Sequence, residues 1–185
     1  VGFPVPIFLA LLINEIKSTK LKKAVQNITY MPNFLSIVVI VSMLSLFSNK
    51  EYGLFNQITA FFGAKPVDFM SRPSAFQPLY VFSNVWQNMG FNAIIYIAAL
   101  SAIDPQLYEA ASIDGATRMQ KIIHISIPCI MGTILILFIM RIGNLMSVGF
   151  EKVLLMQRDV TISSSEVIST FIYKNGIQKG QFSYS

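Results

Sequence analysis

The feature that most constrains this chain of 185 residues is a set of three long windows without a charged residue. They cover residues 24–49, 73–103 and 125–140. An α-helix rises about 1.5 Å per residue, so about 20 largely apolar residues cross the roughly 30 Å hydrocarbon core of a bilayer. The windows approach or exceed that length. The sequence therefore predicts an all-α membrane protein with several spans.

Four apolar segments follow from these windows and from the beginning of the chain. They are Gly2–Asn14, Asn33–Ser48, Pro78–Ile103 and Pro128–Phe150. The first is too short to cross a bilayer alone, so we expect it to be the end of a helix that begins earlier. We place the start of the second at Pro32 and Asn33, because proline suits the first turn of a helix. Beyond the four segments, residues 163–176 predict a short amphipathic helix.

Composition excludes several classes of protein. Charged residues make up 12% of the chain and apolar residues 54%, whereas soluble domains carry about 25% charged residues. A solvated globular enzyme is therefore not expected. The net charge is +5, but the basic residues do not interleave with aromatic ones, so no nucleic-acid partner is predicted. With one cysteine and one histidine, the sequence predicts neither a metal site nor a catalytic triad.

Lysines set one expectation about orientation. The linker after the first segment holds Lys17, Lys20, Lys22 and Lys23, a cluster typical of the cytoplasmic side. Alternation would then place 49–77 and 151–185 outside and 104–127 inside. The basic residues of the other loops do not reinforce this bias, so the charge pattern alone leaves the orientation open.

The polar stretch 104–128 predicts two short helices joined by a hinge. Asp104 can cap the first helix, and the proline after it suits a first helical position. Gly115 ends that helix, where a left-handed or turn conformation is needed. Thr117 and Gln120 have the spacing of a capping box for the second helix. The spacing alone is equally compatible with an ordinary helical connector.

The loop also carries a specific motif. Its elements are Glu109-Ala110-Ala111, Asp114-Gly115-Ala116 and Ile125-x-x-Pro128. This pattern resembles the EAA loop of binding-protein-dependent ABC importer permeases, which reads EAA, three residues, Gly, nine residues, Ile-x-Leu-Pro. Both spacings match, and Ile127 replaces the leucine. The beginning of the chain and the ending VISTFIYKNGIQKGQFSYS also resemble the carbohydrate-uptake class, near its oligosaccharide (aldouronate-type) permeases.

The resemblance implies a fold and a location. Permeases of this kind have about six spans in the bacterial inner membrane. Residues 1–185 would be a partial transmembrane permease domain of about four spans, without the start of the first core helix and without the last span. Residues 104–128 would form its coupling loop, and the lipid bilayer would surround the rest.

The resemblance also implies partners and roles. These are cytoplasmic ATPase subunits, a second permease subunit expected to be a paralogue, and an extracytoplasmic solute-binding protein. The ATPases would dock on the loop, with a basic side chain pairing with Glu109. The residues implied in coupling are Glu109, Ala110, Ala111, Asp114, Gly115, Ala116, Ile125 and Pro128. No glycine is followed by lysine, so no phosphate-binding loop is present. We expect no catalytic residue and no cofactor bound by this chain, with ATP and Mg held by the partner.

Two polar groups within apolar segments are candidates for a substrate pathway. Asn84, Asn88 and Asn92 recur every four residues and would form one stripe on a helix. Arg141 lies within the fourth segment, with Asn144 three residues on. Amides suit sugar hydroxyls, and an intramembrane charge favours a functional site. The alternatives stay open: the amides could join helices, and the arginine could reach the membrane surface.

Two other functional classes explain part of the sequence. A secondary transporter would use Arg141 and the asparagine stripe without an ATPase, but it leaves the EAA motif unexplained. A membrane scaffold without transport explains neither Arg141 nor the asparagine stripe. The motif therefore favours the permease subunit of an ATP-driven sugar importer.

Overall fold

The computed structural model describes residues 2–61, 63, 65–144 and 149–180, and all of their regular secondary structure is helical. The helices of eight or more residues are α1 (Pro4–Asn14), α2 (Thr19–Tyr30), α3 (Ile37–Ser48), α4 (Leu54–Phe61), α5 (Pro73–Ser101), α6 (Pro105–Ile113) and, after the short α7 (Arg118–Lys121), α8 (Ile127–Gly143). Short helices follow: α9 (Phe150–Met156), α10 (Ile162–Ser165) and α11 (Ile168–Ile172). The predicted all-α class is confirmed.

The chain divides into two compact units. The first consists of Val1–Phe34 and Val85–Met146, and the second of Leu35–Asn84 and Ser147–Ser185. The core of the first unit comes from α1, α5 and α8: Ala10, Ile13, Ala93, Tyr96, Ile97, Leu100 and Ile130. Buried apolar residues of the second unit include Ile40, Leu44, Phe76, Val153 and Met156. Most of the loop 104–128 belongs to the surface of the first unit.

The second apolar segment begins later than predicted. Residues Met31–Phe34 form a separate 3₁₀ turn that contains Pro32, and α3 begins only at Ile37. Ser36 is its N-cap, and the hydroxyl of Ser36 accepts a hydrogen bond from the Val39 amide at 3.3 Å. A serine cap therefore fixes this helix start, and the placement at Pro32 and Asn33 is wrong.

The third segment begins earlier than predicted. Helix α5 starts at Pro73, so Pro78 lies inside it and does not open it. A proline within a helix removes one hydrogen bond to the carbonyl four residues back, here that of Ser74. Both Ser74 and Pro78 are exposed, so other donors can reach that carbonyl.

The predicted amphipathic helix 163–176 is also divided, because α11 begins as a separate helix where the Thr170 hydroxyl accepts a hydrogen bond from the Val167 amide at 3.1 Å.

Length and composition qualify one described helical stretch for crossing a membrane. This is Arg118–Gly143, of 26 residues, which joins α7 and α8. A second candidate exists only if Thr19–Phe34 and Ile37–Ser48, which a break separates, are counted together. Helix α5 has 29 residues but carries the asparagine stripe and is not among the qualifying helices. The remaining predicted spans stay predictions.

Helices α2 and α5 approach each other closely at Gly90 in the first unit. A Cβ atom on Gly90 would overlap the backbone carbonyl of Thr29 and lie 3.0 Å from the Tyr30 amide nitrogen. One turn away, the Asn33 side-chain amide donates to the Asn88 carbonyl oxygen at 3.2 Å. Small residues allow such backbone contact, and amide pairs stabilise it within apolar surroundings. Helix α2 therefore packs closely against α5, and the 3₁₀ turn after α2 adds a hydrogen bond to α5.

Candidate coupling loop and polar cavity

The hinge of the loop 104–128 has the predicted construction. Asp104 caps α6, and its carboxylate accepts from the Gln106 amide at 2.9 Å. Gly115 follows α6 with a φ of +76°, which side chains other than glycine rarely adopt. Thr117 and Gln120 form the capping box that starts α7, with the Thr117 amide donating to Gln120 Oε1 at 2.7 Å. The two helices and their hinge are confirmed.

The sequence-predicted coupling residues are exposed or half-buried, and most of them lie at the hinge or on α6. Five of them line a cavity of about 290 Å³, namely Ala111, Asp114, Gly115, Ala116 and Ile125. Gln120, Lys121 and His124 complete its wall. Glu109 and Ala110 are exposed on α6 outside this cavity, and Pro128 lies further along the chain. The hinge thus presents a groove of small and charged residues with a carboxylate beside it.

Three side-chain contacts hold the loop together. The Ser112 hydroxyl donates a hydrogen bond to the Tyr108 carbonyl oxygen at 2.6 Å and accepts one from the Lys121 ammonium at 2.6 Å. The hydroxyls of Tyr108 and Ser126 lie 2.9 Å apart. Ser126 is 1% exposed. The sequence analysis missed the Tyr108–Ser126 pair, since nothing in a spacing of 18 residues indicates a contact.

The predicted start of the fourth segment at Pro128 is wrong, because the helix is continuous from Arg118 to Gly143. Helix α7 passes into a π-helical turn, Ile122–Ser126, and then directly into α8. In that turn the Ile127 amide donates to the Ile122 carbonyl, five residues back. Pro128 follows as the second residue of α8. The wider turn shifts the hydrogen-bond pattern just before a residue that has no amide hydrogen, so the helix continues through the proline.

A polar cavity in the first unit contains three of the five predicted pathway residues. Its volume is about 180 Å³, and Asn92, Arg141 and Asn144 line it together with Tyr96 and with residues at the start of α1 and just before it. Gly2 lies near the arginine, because a Cβ there would be 3.8 Å from Arg141 Nη2. The cavity therefore combines a guanidinium with amides and a phenol.

The other two pathway candidates lie elsewhere. Asn88 accepts a hydrogen bond from Asn33, as described for the contact between α2 and α5. Asn84 belongs to the second unit. Neither lines the cavity around Arg141. For Asn88, the contact corresponds to the alternative in which amides join helices.

The second unit contains a charged network that sequence reasoning missed. Arg158 Nη1 donates to Asp68 Oδ2 at 3.0 Å and to the Ser71 hydroxyl at 2.9 Å. Arg158 Nη2 lies 3.4 Å from the Ser45 hydroxyl. Burial opposes ionisation of Asp68, but the Ser71 hydrogen bond, the Arg158 charge and backbone amides outweigh it, so the pKa of Asp68 lies below its ordinary value. Both side chains are more than a third exposed, which limits their contribution to stability.

Lys152 of α9 is another charged residue of the second unit that the sequence analysis did not single out. Its side chain is 4% exposed, and its ammonium lies 5.8 Å from the centre of the Tyr80 ring. Burial lowers the pKa of Lys152 to about 8. A cation over an aromatic face is stabilised by the charge distribution of the ring, which offsets part of the cost of burial.

Comparison with known proteins identifies the class. The family described as "Binding-protein-dependent transport system inner membrane component" matches residues 2–150. The match covers the first unit, the hinge and the polar cavity. The chain belongs to this family, and the resemblance of its EAA motif is confirmed.

Individual relatives match nearly the whole chain. The polygalacturonan/rhamnogalacturonan transport system permease protein YteP of Bacillus subtilis is 42% identical over 183 residues, which is 99% of this chain and 57% of that protein. Protein LplB of the same organism is 36% identical over 184 residues, with coverage of 100% and 58%. The chain thus spans somewhat more than half the length of these curated relatives.

A solved structure supports the same fold. It is the crystal structure of a bacterial ABC transporter involved in the import of the acidic polysaccharide alginate. The match has a TM-score of 0.94 and 43% sequence identity, and it covers 99% of this chain and 64% of that chain. A second crystal structure with the same score shows the alginate transporter in complex with its alginate pentasaccharide-bound periplasmic protein. The helical permease fold of this chain is therefore shown.

Proposed function

We propose that this chain is the membrane permease part of an ATP-driven importer of oligosaccharides. The observation that carries the proposal is the hinge 104–128, in which the EAA motif forms a capped helix, a left-handed glycine and an exposed groove. A secondary transporter has no use for such a loop. Closure of ATPase subunits would move the loop and switch the pathway between outward and inward access.

The proposed partners follow from the family and from the loop. Cytoplasmic ATPase subunits bind α6 and the groove beside it, and they hold ATP and Mg. A second permease subunit completes the pathway, and an extracytoplasmic solute-binding protein delivers the sugar. The alginate relative supports the last partner, since its structure includes a periplasmic protein loaded with a pentasaccharide. We place the chain in the bacterial inner membrane with the loop on the cytoplasmic side.

The proposed substrate is an acidic oligosaccharide. Two relatives are described as transporting polygalacturonan or alginate, both of which carry carboxylates. In this chain, the Arg141 guanidinium in the polar cavity can form paired hydrogen bonds with a carboxylate. The amide of Asn92 and the phenol of Tyr96 can bond to hydroxyls of the same sugar. Arg141 would therefore favour acidic over neutral sugars.

Glu109→Lys tests docking of the ATPase. Reversing an exposed charge at the docking helix should repel the basic partner side chain and weaken ATPase binding by about tenfold or more. The measurement is co-purification of the ATPase with the permease, together with sugar-stimulated ATP hydrolysis in proteoliposomes. Glu51→Lys, also at an exposed glutamate but outside the loop, is the control and should bind ATPase normally. Full ATPase binding by Glu109→Lys would contradict the docking assignment.

Arg141→Leu tests the substrate. Losing charge-assisted hydrogen bonds costs about 1.5–3 kcal/mol, so uptake of an acidic oligosaccharide should fall by about tenfold or more. Uptake of a neutral oligosaccharide of equal length should change much less, and ATPase docking should not change. Arg72→Leu, at an exposed arginine outside the cavity, is the control. An equal loss of uptake for acidic and neutral sugars would show that Arg141 does not bind the carboxylate.

A further inference from the structure

We propose that the Tyr108–Ser126 hydrogen bond transmits movement of the coupling helix α6 to the membrane helix α8. Both are positioning residues for the transport cycle and do not contact the sugar. The inference rests on the proposed function, because it assumes that an ATPase moves α6. It assigns to two side chains the direct connection between α6 and the end of the π turn.

The two hydroxyls connect distant parts of the loop. They lie 2.9 Å apart across 18 residues of sequence, and the segment between them is mostly exposed. Ser126 is 1% exposed, and Tyr108, a residue of α6, is half-buried. Within the described part of the loop, this is the side-chain hydrogen bond that ties α6 to the end of the π turn. Because this hydrogen bond is partly buried, it competes less with water than the exposed contact between Lys121 and Ser112 does.

A second contact makes α6 and α7 move together. The Lys121 ammonium lies 2.6 Å from the Ser112 hydroxyl, which in turn donates to the Tyr108 carbonyl oxygen. This contact is exposed, so water exchanges for it readily. It supports the shape of the hinge, whereas the partly buried pair of Tyr108 and Ser126 carries displacement toward the membrane.

The position of each residue suits such a role. Tyr108 directly precedes Glu109, so a partner that binds the carboxylate displaces Tyr108 as well. Ser126 is the last residue of the π turn that leads into α8. Such turns occur frequently at functional sites in helices. Displacement of α6 would therefore act on the irregular turn at the base of α8.

The test uses the complete transporter in proteoliposomes, with Tyr108→Phe, Ser126→Ala and the double variant. Each single variant removes one hydroxyl. We expect ATPase binding, melting temperature and ATP hydrolysis to stay near wild type, while sugar imported per ATP falls about three- to tenfold. The double variant should lose no more than either single variant, because all three lack the same bond.

Two controls remove a hydroxyl elsewhere. Ser101 donates only to the Ile97 carbonyl within its own helix, and Tyr52 is exposed in the second unit. Ser101→Ala and Tyr52→Phe should import a normal amount of sugar per ATP. Normal coupling in both Tyr108→Phe and Ser126→Ala, or a joint loss of docking and melting temperature, would overturn the inference. If the wild-type protein neither binds an ATPase nor imports sugar, the proposed function fails first, which is a distinct result.

Discussion

Gly90→Ala is expected to destabilise the protein by about 3 kcal/mol or more. The added Cβ would overlap the Thr29 carbonyl and crowd the Tyr30 amide, both of which are backbone atoms that no rotamer change can move. Relief requires α2 and α5 to separate, and separation would stretch the 3.2 Å bond between Asn33 and Asn88. Inserting atoms into packed contacts costs about 1–3 kcal/mol when side chains can adjust, and more when they cannot.

Thermal unfolding of the detergent-purified protein measures this effect. Gly132→Ala is the matched control, since Gly132 lies within α8 and a Cβ there meets no atom within 4 Å. That variant should unfold at or slightly above the wild-type temperature, because alanine favours a helix by up to about 1 kcal/mol. Equal melting temperatures for the two variants would show that α2 and α5 do not meet closely at Gly90.

Gly115→Pro is expected to abolish sugar import while leaving the protein in the membrane. Gly115 has a φ of +76°, whereas proline holds φ near −65°. The hinge between α6 and α7 would have to rearrange, so movement of the docked ATPase would no longer be transmitted. The measurement is sugar uptake together with ATP hydrolysis in proteoliposomes. ATP hydrolysis should continue without uptake.

Further substitutions separate backbone conformation from crowding. A Cβ at Gly115 meets no atom within 4 Å, so space is not limiting. Gly115→Asn should retain most of the uptake, because asparagine tolerates the left-handed region, whereas Gly115→Val should lose most of it. Gly63 has a similar φ of +78°, and Gly63→Pro should leave coupling intact. Equal activity of the asparagine and proline variants would contradict the conformational requirement at Gly115.

The loop could be predicted from the sequence because its determinants are local. Caps, a capping box and a left-handed glycine each depend on residues within four positions of one another, as at Thr117 and Gln120. The EAA motif also indicated the protein family, which helix caps and turns alone do not specify. Fold class followed in the same way, since an uncharged window has few stable structures other than a membrane helix.

Helix boundaries were less predictable because a proline can stand in the first turn of a helix, in a separate turn or inside a helix. Pro32, Pro78 and Pro128 each stand at the predicted start of an apolar segment. The structure places the first in a 3₁₀ turn, the second inside α5 and the third after a π turn. Proline fixes φ at a value that a helix interior also uses and removes one hydrogen-bond donor, and exposed carbonyls or a wider turn can compensate for the missing donor. Where a helix starts depends on caps such as Ser36, which carry a weaker sequence signal.

Contacts between distant residues could not be predicted at all. Asn33 and Asn88 are 55 residues apart, and Arg158 and Asp68 are 90 apart. Each pair depends on how helices pack, and no periodicity encodes that. The asparagine stripe illustrates the limit, since one face of α5 supplies Asn92 to the polar cavity and Asn88 to a contact with Asn33 in the turn after α2.

The π turn at Ile122–Ser126 fixes the length of the chain between the hinge and α8. Successive residues of an α-helix are rotated by about 100° around its axis. Within a π turn each residue adds a smaller rotation, so the five residues Ile122–Ser126 turn the chain about as far as four residues of a regular α-helix would. Removing one residue from this turn should therefore restore a regular helix and leave the hinge facing nearly the same direction relative to α8. Removing one residue from the regular turns of α8 should instead rotate the hinge by about 100°. The π turn is therefore the place where this helix can lose a residue without turning Glu109 and the groove away from the proposed docking partner.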